Sequence, residues 1–164
     1  MAFFKTKVAV ADYCGRNLAT LFAVERETTL EALRTRCNDA HLNQVNPNLY
    51  YDHFRAAMIE LMLIAVSRNC SPTASSAAHF FVMDYLNKRG LQRIDSLCGE
   101  YNRAFASSGF SFHGDGVAEI VQWFSASLTQ SNMGELATEQ FYTEFYSMLK
   151  VFFDDFKSIK LVAP

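Results

Sequence analysis

Glu60, His53 and His79 are the residues whose types and positions most invite chemistry in this chain. Glu60 is the one polar residue in the run 56–66, AAMIELMLIAV. A carboxyl group in such a stretch must find a hydrogen-bonding or ionic partner, or stay protonated. Arg55, Arg68, a tyrosine or a histidine would serve. His53 precedes Glu60 by two helical turns, so the two share a helix face roughly 10 Å apart. At that spacing they cannot ligate one metal without side chains from other helices. His79 falls in the next helical segment, where it can face either of them. One reading of Glu60 is a satisfied buried carboxylate that sets helix register. The other is a polar anchor in an apolar cavity, which makes Glu60, His53 and His79 candidate ligand-binding residues. Glu60 as a catalytic acid or base would need a nucleophile or metal beside it, and the sequence displays none.

The other two histidines lie in loops. His41 is in a polar stretch and is expected to be solvated. His113 is in FHGDG, just before a helix start. Asp115 is placed to cap that helix. Two glycines before a helix N-terminus also suit an anion, but loop and cap is the simpler reading.

The common reaction motifs are missing. There is no Walker phosphate loop, no GxGxxG, no HExxH and no GxSxG. No Glu has a His three residues on, as a carboxylate-bridged di-iron bundle would require. Cys14, Cys37, Cys70 and Cys98 are widely spread and form no CxxC pair. Common zinc sites need closer pairs, so these are read as reduced thiols in or beside helices, which fits a cytoplasmic protein. No CxxCH haem-attachment site occurs. Non-covalent haem needs only one or two axial side chains. No metal site and no cofactor is read from these residues.

Composition narrows the class. The chain has 164 residues, 50% of them apolar and 20% charged, so it is long enough for a real core and unlike a disordered chain. Aromatics reach 14%, with 15 Phe and 7 Tyr, which suits a bulky core, an aromatic cavity or an adhesive interface. The net charge is −2 without a basic block, and phosphate neutralisation dominates nucleic-acid affinity, so no nucleic-acid partner is expected. The N-terminus puts its lysines after the first aromatics, unlike a signal peptide. The run 56–66 is too short to span a bilayer.

The elements that must hold these residues are helical. Apolar residues recur at three- and four-residue steps, and no alternating strand pattern persists. A first helix is expected over about 4–25, with Phe4, Val8, Ala11, Gly15, Leu18 and Phe22 in one stripe. Gly15 there implies a close crossing or a bend. Thr28 and Glu31 suit a capping box for a short helix over 29–38, with Leu30 and Leu33 inward. Residues 39–48 read as a loop. Asn46 and Pro47 then start a helix over about 49–68, apolar on nearly every face and expected at the centre of the bundle. Ser71 and Pro72 open its antiparallel neighbour, ended by Lys88, Arg89 and Gly90, with Ala77, Phe80, Phe81, Tyr85 and Leu86 inward. A helix over 91–106 buries Ile94, Leu97, Cys98, Tyr101 and Phe105. One over 117–128 buries Ile120, Val121, Phe124 and Leu128. Asn132 and Glu135 suit the start of a long amphipathic helix over 133–159, with Phe141, Phe145, Leu149, Phe152 and Phe156 in a row. The charges of Glu31, Arg34 and Arg36, and of Asp154, Asp155 and Lys157, read as solvated.

The fold expected is therefore all-α, one domain over 1–164, a bundle of about six or seven helices. The function expected first is a non-enzymatic cytoplasmic binding or regulatory module. It would be homodimeric through its C-terminal helix, with Phe141, Phe145, Phe152 and Phe156 at the interface. The alternative is a sensor or carrier of an apolar small molecule, such as a lipid, tetrapyrrole or aromatic compound, with its pocket beside the helix over 49–68. An enzyme without a recognisable motif is the third reading.

Overall fold

The computed structural model describes residues 5–23, 28–37, 40–109, 116–129 and 135–163. In chain order they form β1 (Thr6–Ala9), α1 (Val10–Ala23), α2 (Thr28–Cys37), α3 (Ala40–Gln44), α4 (Pro47–Asn69) and α5 (Pro72–Lys88), then α6 (Gln92–Ser107), α7 (Gly116–Thr129), α8 (Glu135–Ser158) and β2 (Ile159–Val162). The described chain is mostly helical, and the all-α class holds.

The helix starts follow from local chemistry. Asn46 accepts hydrogen bonds from the backbone N–H groups of Asn48, at 2.9 Å, and Leu49, at 3.4 Å, and Pro47 fills the first helical position of α4. Ser71 and Pro72 repeat the device for α5, with Ser71 Oγ accepting from Ala74 N at 3.3 Å. At the far end, Gly90 takes φ +67°. Its N–H donates to Asn87 O, and the N–H of Leu91 donates to Leu86 O, which is a Schellman stop. The short turns make α4, α5 and α6 run up, down and up. Contacts Asp52–Arg93, Ala56–Cys98 and Glu60–Asn102 step forward together along α4 and α6, so those two run in the same direction.

Of the 23 residues of α4, 14 are buried, with no polar stripe left for solvent. The helix is enclosed by α1, α5, α6, α7 and α8. Its first turns carry an aromatic cluster. Tyr50 stacks on Phe54 and meets Phe124 of α7 and Phe141 of α8, while Phe124 and Phe141 touch edge to face at 5.1 Å.

Several expectations change on contact with the fold. The expected first helix splits into β1 and α1, because 6–9 pairs in parallel with 159–162, Thr6 opposite Ile159 and Val8 opposite Leu161. Pairing with a segment about 150 positions away leaves no local trace. Its buried row is Val10, Tyr13, Cys14 and Leu18, and Ala11 is exposed. Gly15 lies under the Phe81 ring, where an added Cβ would meet it at an ordinary 3.6 Å, so no close crossing requires the glycine. Part of the expected loop 39–48 is the short helix α3. Arg34 is not idle surface charge: its guanidinium donates to Leu42 O and Val45 O, tying α2 to α3. On α5 the buried row is Ala74, Ala78, Val82 and Leu86. Phe80, expected inward, is 75% exposed.

The expected interface on α8 is also revised. Phe141, Phe152 and Phe156 are buried in the chain's own core, against α1, α4 and α7, and so are not a free surface. The side chain of Phe145 lies outside the described residues, as do Asn132 and the cap expected of it. Among the described residues, the exposed large apolar side chains of α8 are Tyr142, Tyr146 and Val151.

This assignment predicts opposite outcomes for adjacent residues. Phe141→Ala should cost about 3–5 kcal/mol in chemical denaturation, whereas Tyr142→Ala should stay within about 0.5 kcal/mol. Equal, small effects at both positions would remove Phe141 from the core.

Candidate functional site

A cleft opens where α4, α5 and α6 meet. It consists of two overlapping cavities of ≈ 490 and ≈ 480 Å³, which share Glu60, Leu63, His79 and Asn102. Both volumes lie in the range of small-molecule sites. One end adds Ile64, Arg68 and Phe105; the other adds Val82, Met83, Leu86 and Asp95.

Glu60 forms the floor. It is 4% exposed, because α4 is covered on this side by α6. Asn102 Nδ2 donates to its Oε2 at 3.0 Å. That is its one hydrogen bond among the described residues, so Oε1 meets no protein donor there. Burial is the main influence on the acid and raises its pKa to about 7, the Asn102 hydrogen bond opposes the rise, and the negative charge of Asp95 adds to it. The carboxyl group therefore changes charge near neutral pH.

The partners expected for Glu60 are engaged elsewhere or differ from the one found. Arg55 lies over the ring of Phe22 at 4.9 Å and near Tyr51 at 5.7 Å, as a buried cation–π contact. Arg68 lines the cleft. The true partner, Asn102, comes from the polar flank of α6 beside the apolar row that includes Tyr101 and Phe105. Asp95, Gly99 and Asn102 recur on α6 at steps of four and three and all line the cleft. That second row was present in the sequence, but it acquires meaning only once α6 is laid along α4.

The histidines separate. His79 lines the cleft with Glu60, half-buried on α5, and burial lowers its pKa, which favours the neutral ring. His53 does not line it. Its Nδ1 shares a 3.1 Å hydrogen bond with Tyr101 Oη, and its ring packs against Tyr101 and Trp123. Burial again lowers its pKa. Tyr101, fully buried, has its phenol pKa raised by burial. His53 is thus a core histidine satisfied by a tyrosine. The side chain of His41 and all of His113 lie outside the described residues.

Nucleophilic chemistry finds little here. Cys98 also lines the cleft, but burial and the nearby carboxylates of Glu60 and Asp95 push its thiol pKa far up, away from the reactive thiolate. Among the described residues, no group of three or more His, Cys, Asp or Glu is placed to hold a metal ion, and no helix is long and apolar enough to cross a membrane. What remains is a hydrogen-bonding and proton-exchanging floor under apolar walls.

The raised pKa of Glu60 carries a pH signature. The unfolded acid loses its proton near 4.5 and the folded one near 7. Between those values the folded state holds more protons, so this residue lowers stability as pH rises and its full cost, about 3 kcal/mol, is present above 7. The neutral histidines act oppositely below about 6.5, so the informative quantity is the difference between wild type and Glu60→Gln. That difference should favour the variant progressively from pH 5 to pH 8 in urea titrations. A difference independent of pH would show that Glu60 ionises normally.

Comparison with known proteins adds no identity: no protein-family model, no curated protein and no solved structure matches this chain.

Proposed function

We propose that this chain is a non-enzymatic helical binding module, organised around α4, that carries or senses an amphipathic small molecule in the α4–α5–α6 cleft. The observation that supports this best is Glu60, a buried carboxyl group whose Oε1 has no donor among the described residues and which forms the floor of an open cavity. Structural carboxylates of α-helical cores are normally consumed by protein partners. Here the second oxygen is left for something that enters. Leu63, Val82, Met83 and Leu86 supply apolar contact, while Glu60, Asn102 and His79 fix orientation, the usual division of labour in small-molecule sites. A cytoplasmic location is part of the proposal, and the free thiols of Cys14, Cys70 and Cys98 support it.

Self-association along α8 is the second reading. It draws on Tyr142 and Tyr146, exposed and stacked with ring centroids 6.2 Å apart, and on Val151, 53% exposed. Sedimentation equilibrium at tens of micromolar should give a dimer that Val151→Glu weakens. A monomer at that concentration removes this reading without touching the first.

Gly99 offers a direct test of the cleft. It lines the cavity from α6, and a Cβ added there would meet just the far end of Arg103 at 3.8 Å. Gly99→Phe should therefore fold at least as well as wild type, since glycine costs a helix interior about 1 kcal/mol, while its ring fills the cleft. Binding of the neutral solvatochromic dye Nile red, read by fluorescence, should be strong in wild type and lost in Gly99→Phe. Equal dye binding in the two proteins overturns the reading.

A further inference from the structure

We infer that the polar end of the ligand is a protonated primary amine and that its remainder is an aliphatic or aromatic tail. This rests on the cleft being the binding site.

The inference follows from which hydrogen-bonding valences the chain leaves open. Asn102 commits an amide N–H to Glu60 Oε2, which leaves Glu60 Oε1 and Asn102 Oδ1 as acceptors without a donor among the described residues. His79, half-buried and favoured in its neutral form, adds a ring nitrogen that accepts. The floor is therefore rich in acceptors. An ammonium group brings three donors and no acceptor, which is the complement of that set. A carboxylate or phosphate brings acceptors alone and would meet Glu60 oxygen to oxygen.

Charge points the same way. Asp95 lines the same cavity and its carboxylate acts on Glu60, so a second negative charge stands near the floor. Arg68 and Arg103 also line the cleft, but neither is hydrogen-bonded or ion-paired to Glu60, whose one hydrogen bond among the described residues is from the neutral Asn102 amide. A ligand cation would supply the ionic partner that Glu60 does not find among the described residues. The tail chemistry follows from the walls, where Leu63, Val82, Met83 and Leu86 continue away from the floor. Met83 is 59% exposed, and a flexible thioether at the rim accommodates tails of differing shape.

The test is a titration of the full chain, methyl-labelled for NMR, with three probes of one shape: 2-phenylethylamine, 2-phenylethanol and phenylacetate. The expected result is amine-dependent shifts of the Leu63, Val82, Met83 and Leu86 methyl groups. Affinity for the amine should exceed that for the alcohol by roughly tenfold or more, as a buried charge-assisted hydrogen bond provides, and phenylacetate should bind weakest. Glu60→Gln preserves shape and an acceptor oxygen. It should weaken the amine by a similar factor and leave the alcohol unchanged. If the alcohol binds as tightly as the amine, or phenylacetate binds tighter, the amine assignment is overturned and the cleft stands. An amine affinity indifferent to Glu60→Gln has the same meaning. If none of the three shifts the cleft methyl groups at millimolar concentration, both the assignment and the cleft reading fall.

Discussion

The enclosure of α4 is the constraint on which the rest of the molecule depends. A helix with no polar face has no tolerable position at a surface, since each exposed aliphatic side chain forfeits roughly 1.5–3 kcal/mol of burial. Five helices therefore lie against it. Those on its α7 and α8 side approach through aromatic rings, Phe124 and Phe141 against Tyr50. The same requirement explains why Phe141, Phe152 and Phe156 of α8 are buried within the chain. Phe141 is needed to cover Tyr50 and Phe124, and Phe156 to cover Tyr13.

Enclosure also explains why Glu60 is costly and why the cleft sits where it does. Its one polar residue between 56 and 66 turns toward the junction of α5 and α6, which run in opposite directions beside α4 and leave a trough there. His53, two turns earlier on the same face, meets a different situation. There Tyr101 and Trp123 close over the ring and satisfy it, so two residues with the same helical phase end in opposite states.

The ends of the chain are joined by a second, smaller device. The parallel pair of β1 and β2 brings residues 6–9 beside 159–162. Lys5 donates to the carbonyl of Phe156, and Tyr13 Oη donates to Asp155 at 3.2 Å. These contacts close the bundle across its longest sequence separation and fix α1 against the C-terminal end of α8. Nothing in 159–162, IKLV, distinguishes a strand from one more helical turn until its partner is alongside.

By itself the sequence determined the helical class, the bounds of α4 and α5, the inward rows of α6 and α7, and the anomaly at Glu60. The reason is that Asn46–Pro47, Ser71–Pro72 and Gly90 act on backbone groups within a few residues, and apolar spacing reports a face of one helix at a time. The tertiary structure alone decided the rest. It paired the two strands, rotated the buried row of α5 so that Phe80 faces out, made Arg34 the tie to α3, placed Phe141, Phe152 and Phe156 in the core, and gave Glu60 an asparagine where an arginine, tyrosine or histidine was expected. Each of those depends on which helix lies across from which, and at what angle. A carboxyl group's partner, and the space left beside it, are properties of two or three helices together.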